Sequence, residues 1–484
     1  MIANIKRAEQ FADVIEVRFD CLQGDQIENL KSQISNLKFE KPLLATFRAH
    51  EQGGKREVSL DDRRVFWKGS GDSIWAADLE EDVIGHAGNY LEKIVSFHDF
   101  VGIPDELDQI FERLAATDAD IIKLAARAHD ITDAIPVWKL LERAKVRGKE
   151  VIPIAMGEAG KWTRILGLAH GAYLTYASID AGKKTADGQL TARDLIETYR
   201  VKELDKYTEV FGVIGDPVSG SLSPYMHNAE FAAAGLNAVF MHLLVKDLDA
   251  FIRRMVMPET REVELNFGGF SVTMPHKQAI IPHLDATDPI AAKIGAVNTI
   301  KIDDGKLTGY NTDAHGFITP LKARFGDVRD ARVAVFGAGG ASRACVYALK
   351  QESADVTVFA RDLNKAKSFA DEFGVKYDQM TTASSNRQLT TDIIVDATPL
   401  GMKGLLENES LFTADELSGV KFVYDLVTSS ADTPIVRAAK AAGVPAIGGL
   451  EMLIAQGVKQ FEIWTGKIAR PEKMREILLT RMEG

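Results

Sequence analysis

The chain has 484 residues, a formal net charge of -11, 46% hydrophobic and 26% charged residues. That length exceeds one ordinary core and points to roughly three domains, while the composition excludes a disordered or membrane-embedded chain. An acidic balance without a clustered Lys/Arg run argues against nucleic acid as a partner and for small-molecule chemistry.

The amino-terminal stretch MIANIKRAEQFADVIEV lacks the apolar segment of a signal peptide, and no later run approaches the roughly 18 residues of a membrane span, so a cytoplasmic setting is expected. Cys21 and Cys345 stand far apart with no CxxC or Cys/His spacing. Neither a disulfide framework nor a metal site is therefore expected. Seven short apolar segments follow: DVIEVRFD, PLLATFRA, SIWAADLE, KIVSFHD, ADIIKLAA, EVIPIAMG and AYLTYAS. Patterns such as IPDELDQIFERLAAT and DAIPVWKLLERAKVRG between them repeat apolar residues at helical period. Strand and helix alternating over about 200 residues predict an α/β architecture closed as a (β/α)8 TIM-type barrel.

Barrel enzymes place their reactive groups at the carboxyl ends of the strands, and here those ends carry Glu16, Arg18, Arg48, His98 and Lys123. Glu16 and Arg18 share one face of a strand and could equally form a structural ion pair; a lone His is often a satisfied core residue. Lys123 is harder to explain structurally. It stands between Ile122 and Leu124, and burying an ammonium costs several kcal/mol unless it is paired. Burial also lowers a lysine pKa toward neutrality, which makes a nucleophile able to form a Schiff base with a carbonyl. A base such as His98 on the neighbouring strand suggests proton abstraction beside that masked carbonyl. These residues alone leave an aldolase and a dehydratase both open.

The segments EVRFD, ATFRAHEQGG, VSFHDF, DIIKLAA and TADGQLT, in that order, resemble type I 3-dehydroquinate dehydratase through nearly all of residues 1 to about 203. The resemblance implies an imine between Lys123 and the ketone of 3-dehydroquinate, with His98 moving protons. It implies substrate binding by Glu16, Arg18, Arg48, Arg164, Thr185 and Gln189, with Arg164 holding the carboxylate. The family's first strand precedes the segment matching DVIEVRFD, so the barrel is expected without its first strand.

The pattern restarts near residue 206 with EVFGVIGDPVSGSLSPYMHNAEFAAAGL, and ARVAVFGAGGASRACVYAL later reads as strand, glycine-rich turn and helix. Such a turn lets backbone approach a pyrophosphate at the helix amino end. The next strand ends VTVFARD, where Arg361 and Lys365 replace the acid that would hold a ribose hydroxyl; cations there suit a 2′-phosphate, although a solvated surface turn would look the same.

The set GDPVSGSLSPYMHN, GFSVTMPHK, GAVNTI, GYNTDAHGF, ATPLGM and GGLEMLIAQGVKQF resembles shikimate dehydrogenase from about residue 208 to the end. It implies Lys277 and Asp313 as the catalytic pair, with Lys277 the proton donor. Ser221, Ser223, Thr273, Asn298 and Gln456 would bind substrate. Gly337, Ala338, Gly339, Gly340, Ala341, Arg361 and Lys365 would bind NADP, and Leu426 and Gly449 would lie near its nicotinamide. In this family pattern Ser271 replaces an amide-bearing residue, and Asp362 stands where it would repel a phosphate.

The expected organisation is a dehydratase barrel over 1–205, a substrate lobe over 206–315 completed by helices within 450–484, and a Rossmann domain over 316–449. The two resemblances together imply two consecutive steps of aromatic biosynthesis: dehydration of 3-dehydroquinate to 3-dehydroshikimate, then NADPH-dependent reduction to shikimate. The alternatives are an aldolase-like barrel joined to a quinate dehydrogenase, a chain with only its dehydrogenase half active, and a ligand-binding regulator with inactive sites. Oligomeric state is not legible in the sequence.

Overall fold

The computed structural model describes residues 1–69, 73–183, 186–380, 390–404, 406–429 and 431–483. The chain divides into two compact units, one of residues 1–209 with 241–266, the other of residues 210–240 with 267–484.

In the first unit the apolar segments become β1 (Ile15–Arg18), β2 (Leu43–Thr46), β3 (Ala76–Leu79), β4 (Glu92–Asp99), β5 (Ile121–Arg127) and β6 (Glu150–Met156). They lie in sequence order, and every neighbouring pair is parallel. Helices between them cover the strands, and β2 and β3 are buried along their whole length, with Thr46 and Asp78 the polar residues among them. Helix Ile135–Arg147, for instance, turns Val137, Trp138, Leu140, Leu141 and Ala144 inward and ends at Gly148 in the left-handed region.

The seventh expected strand is not a regular strand. Residues 172–177 run beside β6, with Tyr173 N donating to Val151 O at 2.9 Å, and Ser178 makes one isolated parallel bridge to Thr191. Thr175 spends its hydroxyl on the Arg164 carbonyl at 3.1 Å, and Tyr173, Leu174 and Tyr176 pack toward the barrel core. Packing rather than a ladder holds this segment. Helix Ile2–Ala8 precedes β1, and among the described residues no further strand pairs with β1's outer edge. Ion pairs Arg7–Asp180 at 2.7 Å and Asp13–Lys202 at 2.8 Å instead tie the first residues to the segment after the barrel strands.

The second unit carries two six-stranded sheets. The first contains β7 (Glu209–Gly215), β8 (Ala238–Leu244), β9 (Phe267–Val272), β10 (Ala286–Thr287), β11 (Thr299–Asp303) and β12 (Lys306–Tyr310), in the order β10-β12-β11-β9-β7-β8. The other is β13 (Arg332–Phe336), β14 (Asp355–Ala360), β15 (Lys376–Gln379), β16 (Ile393–Asp396), β17 (Phe422–Asp425) and β18 (Ala446–Ile447), in the order β15-β14-β13-β16-β17-β18 and parallel throughout. That is the doubly wound dinucleotide-binding order, whose switch point lies between β13 and β16. Alternate residues feed opposite cores: Val333 and Val335 face Phe317, Leu349 and Phe369, while Ala334 and Phe336 face Phe412, Leu417 and Ile435.

Helix Gly449–Thr465 leaves the Rossmann sheet and crosses the first sheet of this unit. Its Gln460 amide donates to Ser271 Oγ at 2.9 Å and Thr299 Oγ1 at 3.0 Å, and its Trp464 indole donates to Ile300 O at 2.9 Å. Trp464 also meets Phe211, Phe240 and His227 ring to ring. Replacing it by alanine removes that packing and the indole's hydrogen bond to Ile300 O. We expect Trp464→Ala to cost the second unit about 3–5 kcal/mol, read by urea unfolding; a loss under about 1 kcal/mol would show that the helix is held elsewhere.

Candidate active sites

The carboxyl ends of β1, β4, β5 and β6 open into one cavity of about 490 Å³, counting the space at its mouth. Glu16, Arg18, Arg48, His98, Lys123, Arg164 and Gln189 all line it, so seven dispersed positions of the sequence meet there. Thr185 lies outside the described residues. Parallel pairing sets Ser96 opposite Lys123 and His98 opposite Ala125, so the imidazole stands two residues beyond the ammonium along the barrel axis.

Lys123 is 5% exposed, and its partner is a residue that the sequence reading missed. Lys123 Nζ donates to Asp78 Oδ2 at 2.7 Å and sits 4.0 Å from the centre of the Tyr176 ring. The same Asp78 oxygen takes Arg48 Nη2 at 2.6 Å, and Arg48 reaches Ser96 Oγ and Glu80 Oε1 as well. Glu80 in turn meets Arg63 Nη1 at 3.1 Å. Asp78, Glu80 and Tyr176 could have been found by the logic that exposed Lys123, because a carboxylate inside AADLE is as costly alone as an ammonium inside IIKLA.

This network sets the charges. Burial pushes the Asp78 carboxyl up, but Arg48 and Lys123 outweigh it and hold the group well below the usual carboxylate range. Burial lowers the Lys123 ammonium, Asp78 opposes that shift, and Arg48 adds to it, leaving the amine below its ordinary value. Burial, and then Arg48 and Lys123, keep the His98 imidazole well below its usual pKa. It is neutral at pH 7 and can accept a proton. Burial brings Arg164 down to about 10, which still leaves it charged at neutral pH. The buried atoms Asp78 Oδ1, His98 Nδ1 and Arg164 Nε have no hydrogen-bond partner among the described residues; a polar ligand in the cavity would satisfy them. Glu16 accepts from Thr46 Oγ1 at 2.7 Å, and Arg18 forks onto Asp20 at 2.8 and 2.7 Å, so both are fixed before any ligand arrives.

In the second unit a hydrogen-bonded chain gathers the other predicted residues. Lys277 Nζ pairs with Asp313 Oδ2, Asp313 Oδ1 accepts from Asn298 Nδ2 at 2.8 Å, and that amide also lies 2.9 Å from Thr312 Oγ1 and 3.5 Å from Gln456 Oε1. Thr273 follows β9, whose Val272 N donates to Asn298 O at 2.7 Å. Ser221 and Ser223 follow β7, the parallel neighbour of β9, and Ser223 opens the helix Ser223–Ala233. All these groups therefore stand along one edge of the sheet.

The cofactor candidates sit at the switch point of the Rossmann sheet. Gly337, directly after β13, has φ +112, and a Cβ on it would stand 2.7 Å from Ala397 O after β16. Only glycine fits. Ala338 and Gly339 lead into helix Gly340–Gln351, whose first turn includes Ala341 and presents free backbone amides. Arg361 and Lys365 are exposed after β14. Asp362 does not oppose them: its carboxylate caps helix Leu363–Phe373 through Asn364 N at 2.9 Å and Lys365 N at 3.2 Å. Ser271 is likewise occupied, accepting the Gln460 amide. Gly449 meets Leu426 closely, a Cβ there falling 2.2 Å from Leu426 O. A dinucleotide thus fits this loop.

A TIM-barrel-like parallel sheet with a buried, carboxylate-paired lysine and a two-lobed sheet pair with a dinucleotide loop define a fused α/β lyase and dehydrogenase. Family models agree along the chain. Type I 3-dehydroquinase matches residues 1–206, the shikimate dehydrogenase substrate binding domain 213–300, shikimate/quinate 5-dehydrogenase 320–426, and the shikimate 5'-dehydrogenase C-terminal domain 449–479. The bifunctional 3-dehydroquinate dehydratase/shikimate dehydrogenase, chloroplastic, of Arabidopsis thaliana is 33% identical over 99% of this chain and 82% of its own length. The NADP+ shikimate dehydrogenase of Methanopyrus kandleri is 38% identical over 58% of this chain and 98% of its own. A crystal structure of a shikimate dehydrogenase in complex with NADP+ superposes with a TM-score of 0.51 at 35% identity, covering 58% of this chain and 97% of that one. This chain belongs to the bifunctional 3-dehydroquinate dehydratase/shikimate dehydrogenase family, and it carries both enzymatic halves. Among the described residues no helix is long and apolar enough to cross a membrane.

Removing Asp78's charge would leave Lys123 and Arg48 buried against one another. We expect Asp78→Asn to destabilise the first unit by about 3–5 kcal/mol at pH 7. The folded pKa of Asp78 is depressed, so its stabilisation is fully present above the unfolded value of about 4 and is lost as pH falls below it. Unfolding curves at pH 7 and pH 3 test both: because the folded carboxyl is held well below the usual range, the gap between wild type and variant should narrow by only about 1 kcal/mol at pH 3, and a gap that widens or vanishes there would refute the assignment.

Proposed function

We infer that the first unit dehydrates 3-dehydroquinate to 3-dehydroshikimate through an imine on Lys123, and that the second reduces that product to shikimate with NADPH. The observation that carries the first half is a buried lysine, lowered in pKa, facing a neutral histidine across one polar cavity. The neutral amine attacks the ketone and water leaves as the imine forms. His98 takes the proton beside the imine carbon, the β-hydroxyl departs as water, and hydrolysis releases the enone and returns Lys123. Arg164 holds the carboxylate, while Glu16, Arg18, Arg48, Thr185 and Gln189 hold the hydroxyls and close the site. Asp78 steadies the ammonium between cycles and keeps the amine aligned.

In the second unit Ser221 and Ser223 bind the substrate carboxylate, and Thr273, Asn298 and Gln456 its ring hydroxyls. Bound NADPH supplies the hydride. Lys277 gives its proton to the oxygen that becomes the alcohol, and Asp313, anchored by Asn298, aims the ammonium. The loop from Gly337 to Ala341 cradles the pyrophosphate, Arg361 and Lys365 favour a 2′-phosphate, and Leu426 and Gly449 flank the nicotinamide. Both cysteines are free, which suits a reducing compartment such as the cytoplasm.

Two assays on one protein separate the halves. Lys123→Ala should abolish conversion of 3-dehydroquinate yet leave NADPH oxidation with 3-dehydroshikimate within about two-fold; Lys277→Ala should do the reverse. Borohydride with 3-dehydroquinate should trap an adduct on Lys123, and recovery of only unmodified peptide would sink the imine. Because burial and the neighbouring cations hold His98 below its ordinary value of about 6.5, its imidazole NMR resonances in the ligand-free chain should titrate only in more acid solution; a midpoint at or above 6.5 would remove a neutral His98 as the base.

A further inference from the structure

Arg343 is a buried cation in the first turn of helix Gly340–Gln351, the helix that the dinucleotide loop feeds. A positive side chain there is disfavoured by the helix dipole, so helix stability does not account for it. Its side chain instead leaves the helix and binds two other segments. Arg343 Nε donates to Ile294 O at 2.6 Å, Nη1 donates to Glu372 Oε2 at 2.8 Å, and Nη2 also contacts Glu372. The guanidinium lies 5.7 Å from the Phe369 ring centre and 5.0 Å from that of Phe373. Opposite it stands Gly295, where a Cβ would come 2.5 Å from Nη2.

The two anchors belong to different parts of the reductase. Glu372 is on helix Leu363–Phe373, which begins beside Arg361 and contains Lys365. Ile294 ends helix Pro289–Ile294 and leads through Gly295 and Ala296 to Val297, whose N–H donates to Lys277 O at 2.7 Å, and to Asn298, which holds Asp313. Gly340, three residues before Arg343 and on the same side of the helix, forms the surface against which the Lys277 stem rests: a Cβ there would stand 3.1 Å from Lys277 Cδ. One helical turn thus seats the reacting lysine and grips the strand of chain that supports it.

We propose that Arg343 is a positioning residue of the reductase, locking the Ile294–Asn298 segment to the dinucleotide-binding helices so that Lys277 is held in register with the transferred hydride. It touches neither substrate nor the reacting atoms. The proposal rests on reading the second unit as an NADPH-dependent reductase, and turnover of 3-dehydroshikimate by the unaltered chain tests that reading first.

The experiment is steady-state kinetics of the full chain with NADPH and with NADPH deuterated at the transferred hydrogen. Losing register should act on the transition state more than on binding. Arg343→Met is expected to lower kcat about ten- to a hundred-fold, with KM for both ligands within about three-fold and a deuterium isotope effect on kcat larger than that of the wild type. Arg343→Lys, which keeps a donor for Ile294 O, should recover part of kcat. Dehydratase turnover of the same preparations should be unchanged. Glu372→Gln keeps Arg343 but weakens one of its two anchors, so it should lower kcat in the same sense, though less, even where Arg343→Met fails to accumulate as folded protein. A wild type inactive toward 3-dehydroshikimate would remove the reductase reading itself. With an active wild type, variants whose kcat and isotope effect match it, or whose KM rises at unchanged kcat, would overturn the positioning role alone.

Discussion

The first unit depends on one carboxylate. Asp78 lies fully buried between Lys123 and Arg48 and pairs with both, and losing it would remove a large share of a domain's spare stability, because an uncompensated buried charge is costly. That pairing has a chemical consequence as well. A lysine in a purely apolar pocket would be neutral but loosely aimed, and one fully neutralised by a carboxylate would stay charged. Burial lowers the Lys123 pKa, and sharing Asp78 with Arg48 keeps that carboxylate from undoing the shift, so Lys123 is both positioned and lowered in pKa.

The second unit solves a related problem with hydrogen bonds. Its Lys277 is only part-buried, and in the proposed reduction it needs direction rather than neutrality. Asn298 supplies this by holding Asp313 with its amide while its carbonyl oxygens anchor Thr312 and β9. The antiparallel turn-back of β11 against β9 is what brings Asn298 to the carboxyl edge of that sheet. The Rossmann sheet reaches its own ligand edge by a different rule, the reversal of strand order at β13 and β16. The helix Gly449–Thr465 joins the two arrangements, since Gly449 touches Leu426 at the Rossmann end while Gln456 and Gln460 reach into the Asn298 network.

Reading the residues in order located the elements that carry a strong period and the groups that violate it. Lys123 stood out because a charge interrupted an apolar run, and GAGGAS because only glycine tolerates the turn found at Gly337. AYLTYAS carries strand-forming residues and yet forms no regular ladder, because its side chains and the Thr175 hydroxyl find tertiary partners first. Asp362 read as a charge opposing phosphate until the cap of helix Leu363–Phe373 showed where its oxygen points. Asp78 was passed over although it breaks AADLE just as Lys123 breaks IIKLA.

The sequence by itself determined the alternation of strands and helices, the glycine-rich turn, and which chemistry-bearing residues were available, since these follow from periodicity, backbone freedom and the cost of burying charge. Only the tertiary structure decided which of those residues meet. Asp78 and Lys123 are 45 positions apart, Asn298 and Gln456 158, and Arg343 and Ile294 49. No local rule links such pairs: their contact arises from strand order, register and the direction in which each helix returns, and the pKa of a buried group is a property of the neighbours that this return supplies.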